Sequence, residues 1–288
     1  MAEVFIGSEA VAAGALTEHQ LRRWHRSIFR DVYLPTWSNP TIDDYTLGAW
    51  LWSRRCGVVA GAAASALHGA QWVDAETPIE LVAKSARPQR GLIVRNETLA
   101  SDEVTHVTRR AITLPVTTPP RTAFDLGRHL PRDQALARLD ALARAAPFSA
   151  EDVLLLAKRY RGARGLRRLT DVLPLVDGGA ASPKESWLRL LLVDAGFPTP
   201  TTQIPVHRNW RLIGVLDMGW EDHLVAVEYD GDQHRADRRQ FVRDIDRIAA
   251  MEDRGWVVIR VVAEHRPQDI IDRVARALAR ATRHRDRR

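Results

Sequence analysis

Between Asp177 and Pro183 the sequence DGGAASP breaks an otherwise regular run of helix-forming and strand-forming text. Glycines and a proline cannot sustain a helix or a strand interior, so no core-building element crosses this point. The chain has 288 residues, more than one core usually serves, and its grammar differs on the two sides of the break. We therefore expect a mixed α/β protein of two domains, with residues 177–183 as the linker.

After the break, SPKESWLRLLLVDAG has the marks of an amphipathic helix. Ser182 stands as N-cap, Pro183 opens the first turn, Glu185 lies three residues after the cap, and Gly196 ends it. TTQIPVH is a predicted strand, and RLIGVLDMGW and LVAVEYDG form a predicted hairpin across EDH. RADRRQFVRDIDRIAAMEDRG then predicts a helix with Phe241, Ile245 and Ile248 inward, WVVIRVV a buried strand, and QDIIDRVARALARA a last helix. The order α, β, β, β, α, β, α describes a compact α/β domain.

Charge is concentrated where the hairpin's second strand ends, in VAVEYDGDQH. A loop centred on Glu221 and Asp222 would put Asp217 opposite Ala226, so that Asp217, Glu228 and Asp230 share one face. Three carboxylates that close raise one another's pKa unless a cation lies among them, and an all-oxygen donor set suits Mg²⁺ or Mn²⁺. The alternative is that the acids solvate a strand end, with Asp230-Gly231 as turn chemistry. Arg239, Arg243 and Arg247 recur at helical spacing on the next helix; they form either a solvated face with local ion pairs or a phosphate-binding stripe. Arg260, ending the apolar strand, is a second candidate for phosphate.

In the first half, LTEHQLRRWHRSIFRDVYLP predicts a short helix capped by Thr17, with Leu21 and Trp24 on one face, leading into an extended DVYLP. DDYTLGAWLW and GVVAGAAASALHGA predict two more helical stretches. IELVA, GLIVR and VTHVT predict a small sheet, and TTPPRTAFDLGRHL a helix with Thr118 as N-cap and Pro119 at its first position.

The 42 Lys and Arg against 36 Asp and Glu give a net charge of +6, with only three lysines. The arginine bias reads as a base-composition effect, so local clusters carry more meaning. KRYRGARGLRR (158–168) holds six basic residues and no acid, and seven arginines against Asp286 fill 273–288. Such runs either bind phosphate backbones or form solvated surface. The lone Cys56 excludes an internal disulfide and a cysteine zinc site. With no basic leader and no apolar run of membrane-spanning length, a cytoplasmic protein without membrane contact is expected.

Helix Glu185, hairpin Asp217, VAVEYDGDQH and the following helix and strand together resemble the PD-(D/E)XK nuclease superfamily, in particular bacterial proteins related to the very-short-patch-repair endonucleases. The resemblance covers about residues 180–288. It implies a restriction-endonuclease-like domain over 184–288 and Mg²⁺-dependent hydrolysis of DNA phosphodiesters. Asp217 and Glu228 would hold the metal, Asp230 would join them, Glu185 would assist, and His234 would act as base or face phosphate. Asp230 stands where the superfamily usually carries lysine, which removes the group that stabilises developing negative charge. Glu185 remains equally readable as half of a capping box.

The segments LTEHQLRRWHRSIFRDVYLP, GVVAGAAASALHGA and PVTTPPRTAFDL resemble AbiEi-type antitoxins and transcriptional regulators. That resemblance implies a winged helix-turn-helix within residues 1–60 and a small α/β region over 61–176. Gln20, Arg22, Arg23 and Arg26 would lie on or near the helix that faces DNA, mostly against phosphate. The leading expectation is a DNA-binding protein with an endonuclease domain. The alternative is a non-catalytic, antitoxin-like regulator whose nuclease-like domain is degenerate. A cognate toxin-like protein is the further candidate partner.

Overall fold

A computed structural model describes residues 4–84, 89–231 and 246–285. It is a mixed α/β chain that divides into two compact units, Met1–Val176 and Asp177–Arg288. No helix among the described residues is long and apolar enough to cross a membrane.

The first unit opens with strand β1 (Phe5–Ile6), helices α1 (Gly7–Ala12) and α2 (Glu18–Trp24), and the hairpin β2 (His25–Phe29) and β3 (Val32–Pro35). These strands form a sheet in the order β1-β3-β2. Helix α2 starts at a full capping box, in which Gln20 N donates to Thr17 Oγ1 at 3.2 Å and Thr17 N to Gln20 Oε1 at 2.8 Å. Two details differ from the expectation. His25–Phe29 is a strand, because Phe29 must reach the core beside Val32 and Leu34. Trp24 is 47% exposed while Leu21 is buried, so the two do not share an inward face.

Helix α3 (Ile42–Trp52) leads to β4 (Val58–Ala60), α4 (Gly61–Leu67), β5 (Ile79–Val82), β6 (Leu92–Arg95), β7 (Val104–Arg109) and β8 (Ile112–Thr117). The five strands form one mixed sheet in the order β6-β5-β4-β8-β7. Val58–Ala60 belongs to it and not to the helix expected from GVVAGAAASALHGA. The β-branched pair Val58-Val59 favours extension, and Gly61 turns the chain at φ +58° before α4 begins. Phe29, Leu34, Leu47, Leu81, Leu114 and Val116 share one apolar cluster, so the early hairpin and this sheet have a common core. Four helices complete the unit: α5 (Pro119–His129), α6 (Arg132–Ala145), α7 (Ala150–Arg159) and α8 (Leu166–Val172).

Helix α5 brings Arg121, Asp125 and Arg128 to one face, since spacings of four and three residues place side chains one above another. Arg121 is only 1% exposed. It donates through Nε to Asp125 Oδ2 at 3.0 Å, through Nη2 to Glu97 Oε2 at 2.6 Å, and through Nη1 to Glu103. Arg128 Nη2 donates to both oxygens of Glu97, at 2.6 and 2.7 Å. From the end of α7, Arg159 Nη1 and Tyr160 Oη reach Glu103 Oε1 at 2.6 and 2.7 Å. Burial opposes the charge on Arg121, but Asp125 and Glu103 outweigh it and hold its pKa above the ordinary value.

In the second unit, α9 (Pro183–Asp194) precedes β9 (Thr201–Arg208), β10 (Arg211–Trp220) and β11 (Val225–Tyr229). Residues 246–252 are helical (α10), followed by β12 (Val257–Val261) and α11 (Pro267–Arg285); Phe241 and Ile245, expected to face inward, lie outside the described residues. The sheet order is β12-β11-β10-β9, antiparallel from β9 to β11 with β12 parallel to β11. Leu188, Leu192, Met218, Val227, Ile259 and Ile270 fill the core between the sheet and helices α9 and α11.

Replacing Arg121 by alanine leaves Glu103 and Asp125 buried against fewer cations. The expected loss is about 3–5 kcal/mol of unfolding free energy in urea titration; a loss below about 1 kcal/mol would show that the network does not organise the unit.

Candidate functional site

Two places gather the residues singled out by sequence. The first is the outer face of α2 with the adjoining strand β2. Gln20, Arg22 and Arg23 are exposed on the helix, and Arg26 is exposed on the strand. Arg22 pairs with Glu18 one turn earlier, a solvent-exposed contact that a stronger anion can displace. The Arg23 guanidinium lies 5.0 Å from the Trp24 ring centroid. Arg26 Nη2 donates to the Ser38 carbonyl at 2.6 Å, and Thr36 N to the Trp24 carbonyl at 2.9 Å, so the segment carrying Trp37 lies against the end of α2 and the start of β2. Trp37 is 71% exposed. This region thus exposes three arginines and two aromatic rings, with Arg23 against Trp24.

The second place is the β10–β11 hairpin. Its register pairs Trp220 with Val225 and Met218 with Val227, which brings Asp217 opposite Glu228 and not Ala226. The loop is longer on its C-terminal side than expected, because Glu221–His223 makes a 3₁₀ turn and Leu224 adopts φ +50°. Asp217 Oδ2 accepts from Tyr229 N at 3.0 Å. Its carboxyl is pushed up to about 7 by burial first, then by the neighbouring charges of Glu185 and Glu228. The structure therefore brings Asp217, Glu185 and Glu228 near one another, as an acid cluster requires.

The cations that meet these acids come from within the domain. Arg247 on α10 grips Glu228 with both arms, Nη1 to Oε1 at 2.9 Å and Nη2 to Oε2 at 3.1 Å. Arg260 on β12 pairs with Asp230. Glu185 closes the cap of α9: its Oε2 accepts from Ala181 N at 2.8 Å and its Oε1 from Ser182 Oγ at 2.9 Å. Arg247 and Arg260, expected to face phosphate, thus face carboxylates. His234, Arg239 and Arg243 lie outside the described residues. Among the described residues no group of three or more His, Cys, Asp or Glu side chains is arranged to hold a metal ion. With Glu228, Asp230 and Glu185 each engaged by a protein donor, this donor set does not fit a divalent ion as it stands.

Two ionic arrangements escaped the sequence reading although a signal existed for each. Aligning the apolar runs VAVE and VVIR sets Glu228 beside Arg260, the parallel register observed, and Arg260 then pairs with Asp230 two residues on. Within RTAFDLGR, Arg121, Asp125 and Arg128 stand at helical spacing, the pattern that builds the buried network of the first unit.

The raised Asp217 carboxyl has a measurable consequence in metal-free buffer. Between its ordinary value of 3.8 and about 7, the folded protein holds a proton that the unfolded chain has released. Unfolding therefore releases a proton, and stability falls as pH rises through this window. Asp217→Asn should remove the slope and exceed the parent by about 2–4 kcal/mol near pH 8. Urea titrations at several pH values that run parallel for both proteins would contradict the assignment.

Residues 56–175 match the AbiEi antitoxin C-terminal domain family. Two uncharacterized proteins of Mycobacterium tuberculosis, from strains CDC 1551 / Oshkosh and H37Rv, are each 33% identical to the chain over 171 residues. The aligned part is 59% of this chain and 62% of each relative, so the chain spans less than two thirds of their length. The first unit is thus similar to an antitoxin domain over most of its extent.

Proposed function

We propose that this chain is a DNA-binding, antitoxin-like regulator. The similarity of residues 56–175 to the AbiEi antitoxin C-terminal domain carries the reading. It is supported by what lies N-terminal to that segment: two short helices joined by a turn, then a hairpin and helix α3, with Arg22 and Arg23 outward on the second helix. Arginines on such a face contact phosphate, position the protein on a duplex and release counterions. The neighbouring Trp24 and Trp37 offer apolar contact to sugar or base edges. A cognate toxin-like protein is the partner that this reading adds to DNA.

The test is fluorescence anisotropy with a duplex selected from a randomised pool. Binding should be tight, fall steeply with salt and persist in EDTA. Arg22→Ala/Arg23→Ala should weaken it and reduce the slope of log K against log salt by about 2. An unchanged slope would remove α2 from the interface, and no retention of any duplex at low salt would overturn DNA binding itself.

A nuclease reading of the second unit draws on one observation, the apposition of Asp217 and Glu228 across the hairpin. Arg247, which grips Glu228, and Arg260, which pairs with the neighbouring Asp230, weigh against it by supplying positive charge from within the protein. Plasmid incubated with the protein and Mg²⁺ or Mn²⁺ should therefore stay supercoiled. Nicking by the parent but not by Asp217→Ala would restore the nuclease.

A further inference from the structure

The basic run 158–168 enters neither proposal, yet it borders a cavity of about 730 Å³ in the first unit. Arg95, Arg128, Arg159, Arg161, Arg164 and Arg168 all line it. Three of these are matched by carboxylates: Arg95 by Glu80, Arg128 by Glu97 and Asp125, and Arg159 by Asp102 and Glu103. The other three differ. Arg161 Nε donates to the backbone carbonyl of Lys158 at 3.3 Å, and Arg161, Arg164 and Arg168 have no carboxylate partner among the described residues. The one acid in the wall, Glu97, is held by Arg121 and Arg128.

The loop bearing these cations is anchored. Gly165 adopts φ +84°, and a Cβ there would lie 2.0 Å from the Arg128 carbonyl oxygen, so the backbone of the loop is seated directly on α5. Three permanent cations thus line one cavity from a loop whose backbone rests on α5, and a polyanion there would relieve their like charge. The planar guanidinium fork suits phosphate oxygens, and a volume between about 300 and 1,000 Å³ suits a small ligand and not a duplex. Beside them the half-buried Tyr160 presents an aromatic wall.

We propose that this cavity binds a small polyphosphate, of the class of nucleoside di- and triphosphates, with its phosphates on Arg161, Arg164 and Arg168. This site is independent of the DNA-binding face on α2. Calorimetric titration of the full chain in EDTA, with ATP, GTP and inorganic tripolyphosphate as probes, is the test. One site per chain is expected, weakened by about tenfold for each arginine removed in Arg164→Ala/Arg168→Ala, with an unchanged melting temperature. Retention of part of the affinity in Arg164→Lys/Arg168→Lys supports a charge contact. In the parent protein, ATP should protect Arg164 and Arg168 from phenylglyoxal, read by mass spectrometry, which needs no variant to fold. No binding of any probe, equal binding by the alanine variant, or absence of protection overturns the proposal. So does an effect of the alanine variant confined to duplex DNA, which would assign these arginines to the nucleic-acid backbone.

Discussion

The first unit depends on one buried cation. A guanidinium as enclosed as that of Arg121 is tolerated only where carboxylates and hydrogen-bond acceptors surround it. Asp125 comes from the same helix, Glu97 from the segment after β6, and Glu103 from the turn before β7. Glu103 in turn accepts from Arg159 and Tyr160 at the end of α7. Segments far apart in sequence are thus tied to α5 by a single electrostatic requirement. Such a network adds little over a well-packed apolar core of the same volume, but it fixes which segments must meet. The loop after α7 inherits that position, since Gly165 rests on the Arg128 carbonyl.

The second unit solves an opposite problem. Here carboxylates cluster at the end of a strand, and arginines from later elements neutralise them, Arg247 for Glu228 and Arg260 for Asp230. Asp217 is left between Glu185 and Glu228, and its proton affinity rises accordingly. Charges matched inside the protein hold structure, whereas charges left unmatched are available to a ligand. By that criterion Glu228 and Asp230 are matched inside the protein. By the same criterion Arg161, Arg164 and Arg168, which have no carboxylate partner among the described residues, are the charges left open, whereas Arg22 on α2 is already paired with Glu18.

The parts of this structure that depend on neighbouring residues were legible in the sequence. Thr17 with Gln20 and Ser182 with Glu185 announce helix starts, and both caps form. Thr118-Pro119 opens α5 at the expected residue, although the threonine side chain makes no cap bond. The order of the described helices and strands after Asp177 was also legible, because α9, β9, β10 and α11 are long enough to show their own period and β11 and β12 are apolar runs bounded by polar text. The short strands β2 and β4 were not: five and three residues beside helical text show no period, and distant core partners decide their conformation. The hairpin register slipped because nothing in EDH announces a 3₁₀ turn closed by a leucine at positive φ.

The candidate site was half legible for a related reason. Acids at a strand exit are visible in a line of text, but the partner of Glu228 stands 19 residues on and that of Asp230 stands 30 residues on. An acid cluster read without its partners looks like a cation site, since only a cation relieves the repulsion. Here an arginine supplies that cation, and a guanidinium differs from a metal ion in one decisive respect. It neutralises a carboxylate through directional hydrogen bonds that fix geometry, but it has no open coordination position at which water could be activated. The same acids therefore imply structure or chemistry according to what opposes them. In the described residues of this domain, arginines from α10 and β12 oppose them.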